Sequence, residues 1–180
     1  VVLLGDAVML RAAGAPAFES RLTAAPSTTI TSPDEARERF LVAGRARCAV
    51  VPLALPEWNA APAPGALVAE APAGGSGGCL RLEQSGSGAR LFAPLWLDCD
   101  PSRIALPLTW RQLTVADTRR NLPPHQAAGF RIQAGDEQGL LYRALDAVRN
   151  RTVLGCNVSS GFLLGRVKRS GEVARTVEIE

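Results

Sequence analysis

The feature that most constrains this fold is a run of short apolar segments after residue 78, nearly all separated by turn signals. The candidate strands are residues 79–84, 90–97, 103–108, 112–116, 129–134, 139–145, 152–158, 162–167 and 173–179. The intervening turns are rich in Gly, Pro, Asp and Ser, as at residues 85–88 and 135–137. Short strands at regular spacing are typical of antiparallel sandwiches and barrels. Residues 79–180 are therefore predicted to form a β-rich antiparallel sandwich or barrel.

Two details qualify this pattern. Pro94 and Pro107 fall inside candidate strands. Because proline has no N–H to donate, those strands are predicted at sheet edges or bulges. Leu141–Arg149 fits a short helix as well as a strand.

The first 56 residues mix short apolar runs with helical patterns, which predicts a small α/β segment. Val1–Leu4, Thr28–Thr31 and Cys48–Leu53 have the length and the apolar or β-branched composition of strands. Between them, Ala7–Leu22 has a loose helical spacing of apolar residues. The sequence Ser-Pro-Asp-Glu at residues 32–35 supplies an N-cap, a proline at N1 and an acid at N3 for a second helix. Strands alternating with helices favour parallel pairing in this segment. A small α/β segment followed by the β-rich domain makes the predicted fold class of the whole chain α+β.

Residues 57–78 are predicted to be a Pro/Gly-rich linker or long loop. Pro62, Pro64 and Pro72 precede a Gly/Ser run at residues 74–78. Loops of this length are uncommon inside compact domains, which favours a boundary here. Ala66–Ala69 also has the composition of a short strand. The predicted division is therefore 1–56, 57–78 and 79–180.

Composition and charge exclude some classes of protein. Lys168 is the only lysine among 20 Lys and Arg residues, and Ala, Gly and Pro are abundant. This bias is associated with GC-rich bacterial genomes. The net charge of +3 is too small to indicate nucleic-acid binding. No segment reaches the roughly 18 continuous apolar residues of a membrane-spanning helix.

The four cysteines are widely spaced along the chain. Cys48, Cys79, Cys99 and Cys156 contain no Cys-x-x-Cys pair, so no structural zinc site is predicted. Two disulfides are one alternative. Three of the cysteines lie in apolar runs, which favours buried free thiols and a reducing cytoplasm.

No catalytic residue, metal ligand or cofactor is predicted. His125 is the only histidine, so a hydrolase hypothesis must pair it with Asp98 or Asp100. In a strand those two carboxylates would share a face and suit a hard cation. Asp100-Pro101-Ser102 is also typical of a turn that the Asp side chain caps, and this interpretation is preferred. Phosphate-binding loops of the Gly-rich types are missing from the sequence.

The most suggestive stretch for binding is basic. Residues 143–175 carry seven cations and two acids. The candidate ligand- or partner-binding residues are Arg149, Arg151, Asn157, Ser159, Arg166, Lys168 and Arg169.

The turn from Asn157 through Ser159 to Gly161 resembles the Asn/Asp-x-Ser-x-x-Gly turn of PilZ domains. Gly161 comes one position early, and the family's Arg-x-x-x-Arg pair has no counterpart at a suitable distance upstream. The resemblance implies a β-barrel that binds a cyclic dinucleotide. Arginine guanidinium groups suit phosphate because they donate two parallel hydrogen bonds.

The favoured function is a non-enzymatic protein-binding or regulatory module, a cytoplasmic component of a larger bacterial assembly that binds its partner through the basic stretch. The alternative is a regulator that binds an anionic nucleotide through the same arginines and the turn at Asn157. A hydrolase that uses His125 is a third hypothesis.

Overall fold

The computed structural model describes residues 1–12, 14–70, 77–118 and 120–180. These residues form 17 strands and one helix of four residues. In chain order the elements are β1 (Val2–Met9), β2 (Ala17–Thr23), β3 (Thr29–Thr31), β4 (Arg39–Ala43), β5 (Ala46–Pro52), β6 (Gly65–Glu70), β7 (Cys79–Ser85), β8 (Arg90–Asp98), α1 (Pro101–Ile104), β9 (Leu108–Leu113), β10 (Val115–Ala116), β11 (Asn121–Leu122), β12 (Ala127–Ala134), β13 (Glu137–Ala144), β14 (Arg151–Val153), β15 (Cys156–Val158), β16 (Phe162–Val167) and β17 (Val173–Ile179).

The strands form four antiparallel sheets. The first sheet has the order β1-β8-β5-β4-β3, and the second has the order β2-β7-β6. The third runs β17-β16-β13-β12-β9, and the fourth runs β11-β10-β14-β15. The structure is nearly all β, so the predicted α+β class with an α/β N-terminal segment is wrong.

The sheets stack in the order second, first, third, fourth, with a core at each junction. Successive strand residues point to opposite faces, so neighbours on one strand enter different cores. Val50 of β5 packs with Leu82 between the first and second sheets, while Val51 packs with Phe130 between the first and third. Tyr142 packs in the core shared with the fourth sheet. The first and third sheets are therefore covered on both faces.

The predicted helix at Ala7–Leu22 is replaced by strands β1 and β2. All of β1 pairs with Arg90–Leu97 of β8, and β2 pairs with all of β7. Along β2, exposed and half-buried residues alternate with the period of two expected for a strand. The helical spacing read from the sequence was loose, and long ladders to distant strands outweigh such a weak local preference.

The second predicted helix does not form, and the reason is Arg37, which is only 9% exposed. Its guanidinium donates to four carbonyl oxygens of one loop, those of Pro56, Trp58, Asn59 and Ala61. Ala36 also forms an isolated β-bridge with Trp58. These contacts hold residues 35–38 in an irregular, bent path against that loop, so the local capping signal does not start a helix.

Several strands predicted after residue 78 are confirmed, namely β7, β8, β12, β13, β16 and β17. The predicted strand at 103–108 is wrong, because α1 and a turn occupy residues 101–106. Residues 152–158 form the hairpin β14–β15 rather than one strand. Its turn residues Leu154 and Gly155 have φ of 50° and 75°, which suits a tight hairpin turn. Leu141–Arg149 is strand as far as Ala144, not helix.

Pro94 lies in a central strand, so its predicted edge position is wrong. β8 lies between β1 and β5. The Leu53 amide donates to the Pro94 carbonyl at 3.1 Å, just beyond the last residue of β5. The N–H that Pro94 lacks therefore faces the end of β5, where the ladder is already complete.

β6 confirms the short strand predicted at 66–69. Pro72 and residues 74–76 of the predicted linker lie outside the described residues. The division into 1–56, 57–78 and 79–180 stays a prediction. Strands β1 and β5, from the first of these segments, flank β8 in one sheet.

Candidate functional site

Arg151 is buried, unlike the other predicted basic residues. Only 2% of its surface is exposed. Its guanidinium donates to the Asp146 carboxylate, to the Tyr142 hydroxyl at 3.3 Å, and to the carbonyls of Gln126 and Ala147 at 3.2 and 3.0 Å. These bonds tie the start of β14 to the end of β13 and to the loop before β12.

The exposed cations of the basic stretch mostly face nearby acids. Lys168 Nζ lies 2.9 Å from the Glu172 carboxylate, and Arg169 lies 2.8 Å from that of Asp136. Arg149 is exposed. Surface pairs of this kind are weak and open easily. The net positive charge counted along the sequence is therefore reduced locally by acids from neighbouring turns.

The turn that resembles PilZ domains follows the β14–β15 hairpin. The Asn157 side chain accepts a hydrogen bond from the Thr152 hydroxyl at 3.1 Å, across that hairpin. Ser159 is exposed. The Asn157 carbonyl accepts a long bond of 3.4 Å from Arg175 of β17. The predicted residues thus lie on several elements, and the Arg151 side chain donates its hydrogen bonds to other residues than those of this turn.

A groove of about 400 Å³ lies between strands β1 and β8 of the first sheet and the strands of the third sheet. We call it the Trp96 groove. Its apolar lining is formed by Leu3, Trp96, Leu108, Ile132, Leu164 and Val177. Of the predicted binding residues, Arg166 lines it. The apolar side chains come from β1, β8, β9, β12, β16 and β17, so only the stacking of two sheets brings them together.

An ion cluster lines part of the Trp96 groove, which Asp98 and Arg103 contact. Arg103 binds the buried Asp98 carboxylate through Nε and Nη2 at 2.7 and 2.9 Å, and its Nη1 lies 3.1 Å from Asp100. Burial alone would raise the pKa of Asp98. The Arg103 hydrogen bonds, the Asp100 amide bond and the Arg103 charge outweigh burial and lower that pKa. The cluster therefore places hydrogen-bonded charged groups next to the apolar lining of the groove.

Asp100 caps α1, which confirms its predicted turn role. Its carboxylate accepts from the Ser102 amide at 2.9 Å and from the Ser102 hydroxyl at 2.6 Å. Asp98 and Asp100 are therefore occupied by protein donors rather than paired across an open site.

The strand β1 leaves one edge unpaired among the described strands. In an antiparallel ladder, alternate residues direct their N–H and C=O groups to opposite sides. The Leu10 amide donates to the Ala89 carbonyl at 2.7 Å, continuing the β1–β8 register. Even-numbered residues of β1 therefore bond to β8. The backbone groups of Leu3, Gly5, Ala7 and Met9 point outward, and of these four residues Leu3 lines the groove.

The groove is also lined by β17, an edge strand with a bulge. Leu164 pairs with Val177 but Gly165 pairs with Arg175, so Thr176 is the extra residue. Thr176 and Val177 both line the groove. A Cβ on Gly165 would lie 2.6 Å from Val173 Cγ1, which explains a glycine at this irregular position.

His125 lines a separate pocket of about 200 Å³ between the β7–β8 turn and β12. Arg90 and Gln112 line the same pocket, whereas Asp98 lines the Trp96 groove. The structure therefore does not bring together the residues of the hydrolase hypothesis.

All four cysteines are free thiols in the structure. Cys48, Cys79 and Cys156 are half-buried and Cys99 is exposed, so the burial predicted for the thiols in apolar runs is only partial. Within the part of the chain that the structure describes, no group of three or more His, Cys, Asp or Glu side chains is placed to hold a metal ion. The single described helix is far too short to cross a membrane.

Most residues of the Trp96 groove cannot be identified from the sequence. Leu3 and Val177 belong to segments predicted as strands, yet nothing in the pattern shows that both strands lie at edges. The unusually apolar start of β1 was the available signal.

Comparison of the chain with protein-family models, with curated proteins and with solved structures found no match.

Proposed function

We propose that this chain is a non-enzymatic protein-binding module, a cytoplasmic component of a larger assembly. It binds an extended segment of its partner as an added strand beside β1. The observation that carries the proposal is the unpaired edge of β1 next to the Trp96 groove. An added strand would receive main-chain hydrogen bonds from the outward groups of β1, and alternate side chains would enter the groove.

The composition of β1 supports this role. The strand is eight residues long and contains one charged residue, Asp6. Val2, Leu4 and Met9 are exposed to 54%, 39% and 57%. Natural edge strands are usually protected by charges, prolines or bulges, and a long apolar edge otherwise pairs with other chains. An exposed apolar surface of this kind marks an interaction site.

The exposed Arg166 at the groove favours a partner segment with a carboxylate. The Arg166 side chain is 67% exposed and lies 3.8 Å from the Glu137 carboxylate. An exposed pair at this distance contributes little, so Arg166 can exchange Glu137 for an acid of the partner. The partner segment is therefore expected to alternate apolar residues and to carry Asp or Glu near Arg166.

Selection from a random peptide library displayed on phage tests this proposal. Enriched peptides should alternate apolar residues and include an acid. The decisive variant is Ala7→Pro, because proline removes an outward N–H and its ring blocks an added strand while the bonds to β8 remain. Ala7→Val keeps the N–H and is the matched control. Ala7→Pro should weaken binding of a selected peptide about tenfold or more, and Ala7→Val should leave it unchanged.

Charge reversal gives an independent arm of the same experiment. Arg166→Glu should weaken binding of an acidic selected peptide about three- to tenfold, with the loss reduced at high salt. Equal binding by wild type, Ala7→Pro and Arg166→Glu would contradict the proposal, as would failure to enrich any peptide. A salt-sensitive rise in melting temperature with a cyclic dinucleotide, lost in Arg149→Ala, would favour nucleotide binding instead.

A further inference from the structure

A second feature, separate from the Trp96 groove, is the pair Cys48 and Cys99. The β5–β8 ladder ends at the pair Ala49 and Asp98, so the two cysteines are the next residues in the same register. Both also line one apolar pocket of about 590 Å³, together with Leu97 and other residues. The fold therefore brings together two thiols that are 51 positions apart in the sequence.

The hydrogen-bond pattern places these cysteines opposite each other at a close position. Because the Leu53 amide bonds to the Pro94 carbonyl, even-numbered residues of β8 bond to β5. The position of Cys99 opposite Cys48 is then a non-hydrogen-bonded one, where Cα atoms are about 4.5 Å apart and side chains are closest. Disulfides span Cα separations of about 4.4–6.8 Å, so a bond needs little backbone movement.

We propose that Cys48 and Cys99 are a thiol–disulfide exchange site, which a low-molecular-weight disulfide oxidises to an intramolecular cystine. Cys99 is exposed, and it is the thiol that an incoming disulfide can reach. Cys48 is half-buried, and its thiol lies 3.6 Å from the Ala49 carbonyl. Cys99 therefore reacts first and Cys48 completes the crosslink.

The order of reaction agrees with the environment of Cys48. Burial raises the pKa of the Cys48 thiol, and the neighbouring Cys99 and Asp98 raise it further. A thiol is a poor nucleophile until it loses its proton. The Cys48 thiol is thus a poor nucleophile toward a disulfide in solution. Once Cys99 forms a mixed disulfide, its sulfur lies next to the Cys48 thiol, which can then attack it.

The two steps balance as follows. Cys99 loses its proton and attacks one sulfur of the small disulfide, whose S–S bond breaks and releases one thiolate. Cys48 then loses its proton and attacks the Cys99 sulfur of the mixed disulfide, releasing the second thiolate. The two cysteine thiols are oxidised by two electrons, and the small disulfide is reduced to two thiols.

Oxidised glutathione is the probe for this proposal. The full chain is incubated with it, remaining thiols are alkylated, and peptides are identified by mass spectrometry. The expected product is a Cys48–Cys99 crosslink with the mass of two hydrogens lost, while Cys79 and Cys156 are alkylated. Cys48→Ser should stop at a glutathione adduct on Cys99, and the matched control Cys79→Ser should crosslink like the wild type.

Three outcomes would overturn the proposal. One is a wild-type chain that keeps glutathione on Cys99 without forming the crosslink. Another is a cystine that involves Cys79 or Cys156 instead. The third is a chain in which neither Cys48 nor Cys99 reacts. Cys99→Ser changes an exposed side chain, so it retains the fold and should leave Cys48 uncrosslinked and alkylatable.

Discussion

Replacement of Arg151 by Met should lower the free energy of unfolding by about 3–5 kcal/mol, as expected when one partner of a buried ion pair is removed. The residue is 2% exposed and its guanidinium binds Asp146, Tyr142 and two carbonyls. Each acceptor left buried without a donor costs about 1–3 kcal/mol. The Asp146 side chain is 26% exposed, so water recovers part of its share. Because Met is similar in length, the loss reflects these polar contacts rather than a cavity.

Arg149→Met is the matched control, since Arg149 is an exposed arginine two positions away. It should change stability by less than about 0.5 kcal/mol. Urea unfolding followed by tryptophan fluorescence measures both variants, and the slope m should stay constant. A loss below about 1 kcal/mol for Arg151→Met, or equal losses for both variants, would refute the structural role argued for Arg151.

Three further substitutions, one of them with a matched control, test other parts of the structure. Asp98→Asn should cost about 1.5–3 kcal/mol at neutral pH, since it weakens charged hydrogen bonds to Arg103. The pKa of Asp98 is lowered in the folded chain, so the carboxylate stabilises the fold above the ordinary value of 3.8, and this stabilisation is lost as pH falls through the folded value. In urea unfolding at several pH values, the difference in unfolding free energy between variant and wild type should therefore shrink in acid. Gly88→Ala should lower the free energy of unfolding by about 1–3 kcal/mol, because φ is +91° and the new Cβ would lie 2.6 Å from His125. The control Gly44→Ala, at φ of +60° with no atom within 4 Å of the new Cβ, should lower it less in the same urea unfolding experiment. Leu141→Ala leaves a cavity in the core between the first and third sheets and should lower the free energy of unfolding by about 2–5 kcal/mol. A smaller loss in urea unfolding would argue against the packing described for that core.

The sequence predicted strands well where turns are local and the period of two is clear. β16 and β17 have the predicted bounds, because Gly, Ser and Lys mark the turn between them and apolar residues alternate along β17. Local capping signals misled where tertiary contacts decide. The Ser-Pro-Asp-Glu sequence at residues 32–35 has the chemistry of a helix start, but Arg37 binds four carbonyls of a loop distant in sequence and holds the chain in a non-helical path.

The candidate site was harder to predict than the strands. Arg166 was identified from charge, and it lines the Trp96 groove. Arg151 was identified by the same criterion, yet it is buried, because sequence alone does not reveal that Asp146 and Tyr142 face it. The edge position of β1 depends on which strand pairs with β8. Many pairings suit the same alternation of apolar residues, so neither the groove nor the Cys48–Cys99 pair follows from spacing.

Hydrogen exchange of individual β1 amides, measured by NMR with and without a selected peptide, tests the central claim most directly. In the free chain the amides of Leu4, Asp6 and Val8 should be protected by β8, while those of Gly5 and Ala7 exchange quickly. Addition of the peptide should slow exchange at Gly5 and Ala7 and leave the others nearly unchanged. Uniform protection along β1 in the free chain, or fast exchange at Gly5 and Ala7 in the complex, would contradict the proposal that the partner binds as an added strand.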